Sequence, residues 1–244
     1  MNRLIIAAML MTLVETKLTA AGRDYVILLH GLGRTPLSMK RLEWTLRREN
    51  YRVINLPYPS TRISVEDAAD HWLGHVLREQ TTDPTAKIHF VAHSLGGIIL
   101  RQYLSNHQIE NLGRVVMLAP PNQGSELADR LLNNCLYKLT TGPAGQQLGT
   151  GDSSLPKKLA PPNFELGVIA GDRTLNPLFS AWIPGPDDGK VSVRSTQTPG
   201  MRDFLVVHHS HTWLAWSREV RLAVTEFLKT GCFVRGLDDV AAAL

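Results

Sequence analysis

The stretch Val91-Ala92-His93-Ser94-Leu95-Gly96-Gly97 sets one serine between an apolar run and a pair of glycines. A strand running into Ser94 and a helix starting at Leu95 would put this serine on a strand-to-helix turn. Small neighbours at Ala92 and Gly96 let such a turn be sharp, which pushes the hydroxyl out of the sheet edge above the positive end of the next helix. A hydroxyl there can act as a nucleophile, and an anion formed beside it is stabilised. The alternative is a serine that only caps the helix. A serine nucleophile needs a base, and the base needs a carboxylate to orient it. Asp172, Asp187 and Asp188 are the downstream acids that could serve, and His208, His209 and His211 are the bases. The attacked carbonyl also needs backbone N–H donors, one after the nucleophile and one from a second loop. His30-Gly31-Leu32-Gly33, closing the first apolar run, offers that loop; an ordinary strand-to-loop turn is the alternative.

The elements that must position these groups follow an α/β rhythm. Tyr25-Leu29, Arg52-Asn55, Ile88-Ala92, Arg114-Ala119, Glu165-Ala170 and Phe204-Val207 read as strands. Most are apolar on both faces, as strands of a parallel sheet covered by helices must be. Met39, Leu42 and Leu46 share one helical face, as do Val65, Ala69, Trp72 and Val76, which predicts helices over Leu37-Arg48 and Ser64-Gln80. Ser64-x-x-Asp67 gives the second a capping box. Val220, Val224, Phe227 and Leu228 mark a last helix that Gly231 can end in a left-handed conformation. Residues 122–162 break the rhythm: Ser125-Tyr137 looks helical, while Thr140-Pro162 is rich in Gly, Pro and Lys.

With these motifs the sequence resembles the α/β-hydrolase superfamily, in particular small bacterial lipases and esterases, over roughly Asp24 to Gly231. The family elbow reads G-x-S-x-G; here Ala92 stands at the first glycine, a departure of one methyl group. The resemblance implies an α/β-hydrolase fold, a mostly parallel sheet of about six strands flanked by helices, with residues 122–162 as a small insertion above the active site. It implies Ser94 as nucleophile and the Leu32 and Leu95 amides as oxyanion donors. Asp188-Gly189-Lys190-Val191 matches the D-x-x-V step after the family's acid, which favours Asp188 over Asp172 and Asp187. His211, opening the segment to the final helix, is favoured as base over His208 and His209. Leu118-Leu131 is similar to the turn and helix beside an acyl pocket, a substrate-facing role without catalysis. The implied activity is cofactor-independent hydrolysis of carboxylic esters, acyl or lipid in type, with passing contact at a lipid surface. A thioesterase, amidase or acyltransferase could use the same triad, and an inactive binding protein could keep the fold.

Composition narrows the rest. The chain has 244 residues, 43% of them hydrophobic, and a formal charge of +4, with Lys and Arg scattered among acids rather than clustered as a nucleic-acid footprint. Asp67, His71 and His75 share one side of a helix, but away from its apolar stripe and without a third strong ligand, so a solvated face outweighs a zinc site. No GxGxxG follows a strand and no GxxxxGK[ST] occurs, so neither metal nor nucleotide cofactor is expected. Asn2-Arg3, the apolar run Leu4-Val14 and small residues near Ala20-Ala21 read as a secretory signal peptide or as an apolar N-terminal helix. Cleavage would mean a periplasmic or secreted protein; otherwise it is cytoplasmic. Residues 22–231 then form one domain and 232–244 a tail. Cys135 and Cys232 fit one disulfide or two buried thiols.

Overall fold

Six segments rich in branched apolar residues pair into one parallel sheet in the order β2-β1-β3-β4-β5-β6. They are β1 (Tyr25–Leu29), β2 (Arg52–Asn55), β3 (Ile88–His93), β4 (Leu112–Leu118), β5 (Leu166–Gly171) and β6 (Asp203–Val207). The computed structural model describes residues 23–233, so the segment read as a signal peptide or apolar helix and most of the C-terminal tail lie outside the described residues. Each sequence-predicted strand is present, with bounds shifted by at most two residues.

Side chains alternate across this sheet. On β1, Tyr25, Ile27 and Leu29 join one buried cluster while Val26 and Leu28 join the other; Val115 and Met117 oppose Val116 and Leu118 on β4 in the same way. α1 (Lys40–Arg48), entered through a 3₁₀ turn at Pro36–Met39, and α10 (Arg218–Thr230) cover the face of Val26 and Leu28. α10 starts on the Ser217 cap and ends at Gly231, whose φ of 83° admits the left-handed closing turn.

The opposite face is covered by α4 (Leu95–Asn106) and by the helical run α2 (Val65–Asp67), a π-helical turn at Ala68–Leu73 and α3 (Gly74–Gln80). Ser64 caps α2, its hydroxyl accepting from the Asp67 amide at 3.0 Å. The π turn delays the helical phase. Leu73 therefore takes the buried position that regular spacing assigns to Trp72, and Trp72 is left 38% exposed. Asp67, His71 and His75 lie on the exposed side of this run.

The stretch read as one helix over Ser125-Tyr137 is two. α5 (Glu126–Leu131) is capped by Ser125, and α6 (Cys135–Gln146) starts afresh on Asn134, whose side chain accepts from the Leu136 and Tyr137 amides. A second break lies at Gly142, where φ is 62° and a Cβ would stand 1.8 Å from the Thr61 carbonyl oxygen, so only glycine fits. α7 (Leu155–Lys158) closes the insertion; α8 (Pro177–Ser180) and α9 (Val193–Thr196) are single turns between β5 and β6. Arg101 fastens the insertion to α4: its buried guanidinium donates to the carbonyls of Asn122, Leu159 and Ala160. Cys135 and Cys232 are both free and exposed, neither bonded nor buried. Their positions on the first turn of α6 and just past α10 put them at the surface.

Candidate active site

The chain leaves β1 toward β2 on one side and reaches β3 on the other, so β1 and β3 flank the point where the sheet order reverses. In open α/β sheets a crevice forms there, beyond the carboxyl ends of the strands. Ser94 follows β3 at that edge. Its φ of 54° and ψ of −121° are rare for a residue with a side chain, a local strain that packing around it must hold. The packing is visible at Gly96, where a Cβ would lie 2.7 Å from the Leu29 carbonyl oxygen. Ala92 sits fully buried in the strand before the turn, where its methyl group is accommodated. The Ser94 amide donates to the Leu118 carbonyl, while the Ser94 hydroxyl makes no hydrogen bond among the described residues.

His211, which lines the same cavity as Ser94, meets Asp188. His211 Nδ1 donates to Asp188 Oδ2 at 2.7 Å, and the His211 amide donates to the Asp188 carbonyl at 3.0 Å. Both side chains are buried. Asp188 Oδ1 accepts from the amides of Lys190 and Val191, which fixes the carboxylate. With Nδ1 committed as donor, the neutral imidazole presents Nε2 as an acceptor. The rival residues have other partners. Asp172 accepts from His208 at the surface, with the histidine side chain 75% exposed. Asp187 accepts from Ser180 and the Gly189 amide, holding the turn, and His209 bonds Ser217.

Two histidines that sequence reading left without a role support the site. His93 donates from Nε2 to the His211 carbonyl at 3.0 Å, with the two rings 4.8 Å apart. Burial, and then the neighbouring His211, hold the His93 pKa well below the ordinary histidine value, so it serves as a neutral strut. His30 is buried and stacked on Tyr58 at 4.1 Å, its Nδ1 donating to the Gly31 carbonyl, and burial lowers its pKa. This anchors the loop that carries Leu32. Neither the Leu32 nor the Leu95 amide donates to a protein acceptor among the described residues.

Ser94, His211, Leu32 and Arg34 line one cavity of about 280 Å³. Its far wall is apolar, built from Leu127, Leu131, Tyr137 and Leu148 of the insertion with Phe179 and Val191. Among the described residues no group of three or more His, Cys, Asp or Glu side chains is arranged to hold a metal ion.

The model of the family described as alpha/beta hydrolases matches residues 26–242. The chain belongs to the alpha/beta hydrolase family. Among solved structures, this alpha/beta hydrolase is similar to the mature lipase BlEst2 of Bacillus licheniformis, with a TM-score of 0.66 and 19% identity over 87% of this chain and 93% of that one. The chain spans 51% of the propeptide form of the same lipase. It is also similar to the metagenomic carboxyl esterase MGS0156, with a TM-score of 0.64 and 20% identity over 80% of this chain and 66% of the esterase. For the monoacylglycerol lipase of Paleococcus ferrophilus the values are 0.58 and 17%, over 86% and 96%. At such identities the likeness is one of fold. A comparison with curated protein sequences finds no significant match.

Proposed function

We propose that this alpha/beta hydrolase is a serine esterase that cleaves carboxylic esters through Ser94, His211 and Asp188. The observation that carries the reading is the buried Asp188–His211 pair beside a strained Ser94, with both Ser94 and His211 lining one apolar-walled cavity. The lipase and esterase names of the similar structures favour an ester as substrate.

In the acylation step the Ser94 oxygen attacks the ester carbonyl carbon while His211 Nε2 takes the hydroxyl proton. Asp188 stabilises the imidazolium across the 2.7 Å bond. The carbonyl oxygen becomes an oxyanion held by the Leu32 and Leu95 amides, a contribution of about 3 kcal/mol per donor in comparable sites. Collapse breaks the bond to the alcohol oxygen, which takes the proton from His211 and leaves. Water then repeats the sequence, its proton passing to His211 as its oxygen attacks the acyl carbon, and Ser94 recovers the proton as the acid departs. The apolar wall suits the acyl chain, and the exposed Leu136, Leu139 and Leu178 near it suit passing contact with a lipid surface.

The test is turnover of p-nitrophenyl esters from acetate to palmitate by the protein and by Ser94→Ala and His211→Ala. Both substitutions are expected to lower kcat/KM by about 10³-fold or more, since removing a member of such a triad disables the unit. Turnover that survives Ser94→Ala in the folded protein would overturn the assignment.

A further inference from the structure

The cavity beside Ser94 is not electrostatically neutral. Arg34 and Lys190 both line it, and no aspartate or glutamate does. Both side chains are half-buried rather than splayed into solvent. Arg34 donates to the Thr212 hydroxyl at 2.9 Å, the one hydrogen bond its side chain makes among the described residues, which aims the guanidinium and leaves its other donors free. The Lys190 ammonium makes no hydrogen bond or ion pair among the described residues, and the nearest acid, Asp188, is committed to His211 and two amides. Burial first, and then the Arg34 guanidinium, hold the Lys190 pKa below its ordinary value, so the two charged heads feel each other. Asp188 is the one acid that acts on Lys190, and its carboxylate lies outside the cavity lining, so two cations held together in a partly dry cavity favour an anionic ligand.

Their position says which part of the substrate is anionic. Arg34 is tethered to Thr212, the neighbour of His211, and Lys190 follows Asp188 by two residues with its amide on that carboxylate. Both therefore sit on the His211 side, where a leaving alcohol must lie to receive its proton. The acyl part faces the apolar wall of the insertion instead. We propose that Arg34 and Lys190 form an anion-recognition pair that selects esters whose alcohol portion carries a phosphate or carboxylate group. The inference rests on the esterase reading for its placement of acyl and alcohol parts.

The experiment compares butyryl esters of glycerol, of glycerol 3-phosphate and of lactate, with the protein and with Arg34→Gln and Lys190→Gln. An anionic ester is expected to exceed the glycerol ester in kcat/KM by about tenfold at low salt, with the preference shrinking at high salt as the charges are screened. Each substitution is expected to reduce the anionic-to-neutral ratio several-fold. Preference for the phosphate or for the carboxylate ester upholds the pair and says which anion it takes. Equal rates on neutral and anionic esters, or a ratio that neither substitution moves, would overturn it. Calorimetric binding of glycerol 3-phosphate against glycerol separates this inference from the esterase reading. Binding of the phosphate alone, without turnover of any ester, would uphold the cation pair and sink ester hydrolysis. Ester turnover with no charge preference and no phosphate binding would do the reverse.

Discussion

At the scale of the residue, identical chemical types have been given different tasks by their surroundings. Asp188 and Asp172 each face a histidine, but one pair is buried and braced by two amides while the other sits in water. Asp188→Asn is therefore expected to cut kcat/KM by about 10³–10⁴-fold, through the loss of the correct imidazole tautomer. Asp172→Asn should leave it within about threefold, because an exposed pair contributes little. Steady-state kinetics on one p-nitrophenyl ester checks both; a larger loss from Asp172→Asn would reverse the assignment. The Ser94, Asp188 and His211 candidates were readable in the sequence because elbow, D-x-x-V step and chain order are local patterns. His93, Arg34 and Lys190 were not, since their surroundings are assembled from residues far apart in the chain. Arg34, for instance, meets Thr212 across 178 positions.

At the scale of the element, the strands were legible because most are apolar on both faces and bounded by turn residues. The insertion was not, because its breaks depend on tertiary contacts: Asn134 restarts a helix and Gly142 fits under the Thr61 carbonyl. Nor does periodicity announce the π turn that rotates Trp72 outward. Arg101 was a missed signal, a lone cation directly after the apolar and buried first half of α4. Burial pushes its pKa down to about 10, and it is held by carbonyl oxygens rather than by a carboxylate. Arg101→Met should destabilise the protein by about 2–4 kcal/mol, because several buried carbonyls lose their donor. Urea unfolding measures this, and a change below about 0.5 kcal/mol, the usual range for surface substitutions, would contradict it. Gly96→Ala should cost about 1–3 kcal/mol, the range for overpacking, since its new methyl would meet the Leu29 carbonyl. The same unfolding measurement applies, with an unchanged midpoint as the contrary result.

At the scale of the whole molecule, three buried histidines couple stability to pH. Burial is the first cause of lowered pKa at His30, His89 and His93, so each stays neutral in the folded chain at a pH where the unfolded chain is already protonated. The unfolded state then binds more protons, and stability must fall with decreasing pH once below about 6.5, the unperturbed histidine value. The slope is at most about 1.4 kcal/mol per pH unit for each histidine inside its window. Urea midpoints between pH 7.5 and 5 should drop steadily, and His89→Gln should flatten the slope; a flat or rising profile would contradict this. The same global arrangement, a sheet whose order reverses between β1 and β3, gathers into one crevice a serine, a histidine and the Gly31-Leu32-Gly33 loop from distant parts of the chain. In the proposed reaction this crevice makes and breaks an acyl bond at Ser94. The decisive measurement is mass spectrometry, with peptide mapping, of the protein quenched during turnover of a slow ester. One acyl mass increment is expected on the peptide containing Ser94, absent from Ser94→Ala. An increment on another residue, or on Ser94→Ala as well, would contradict it.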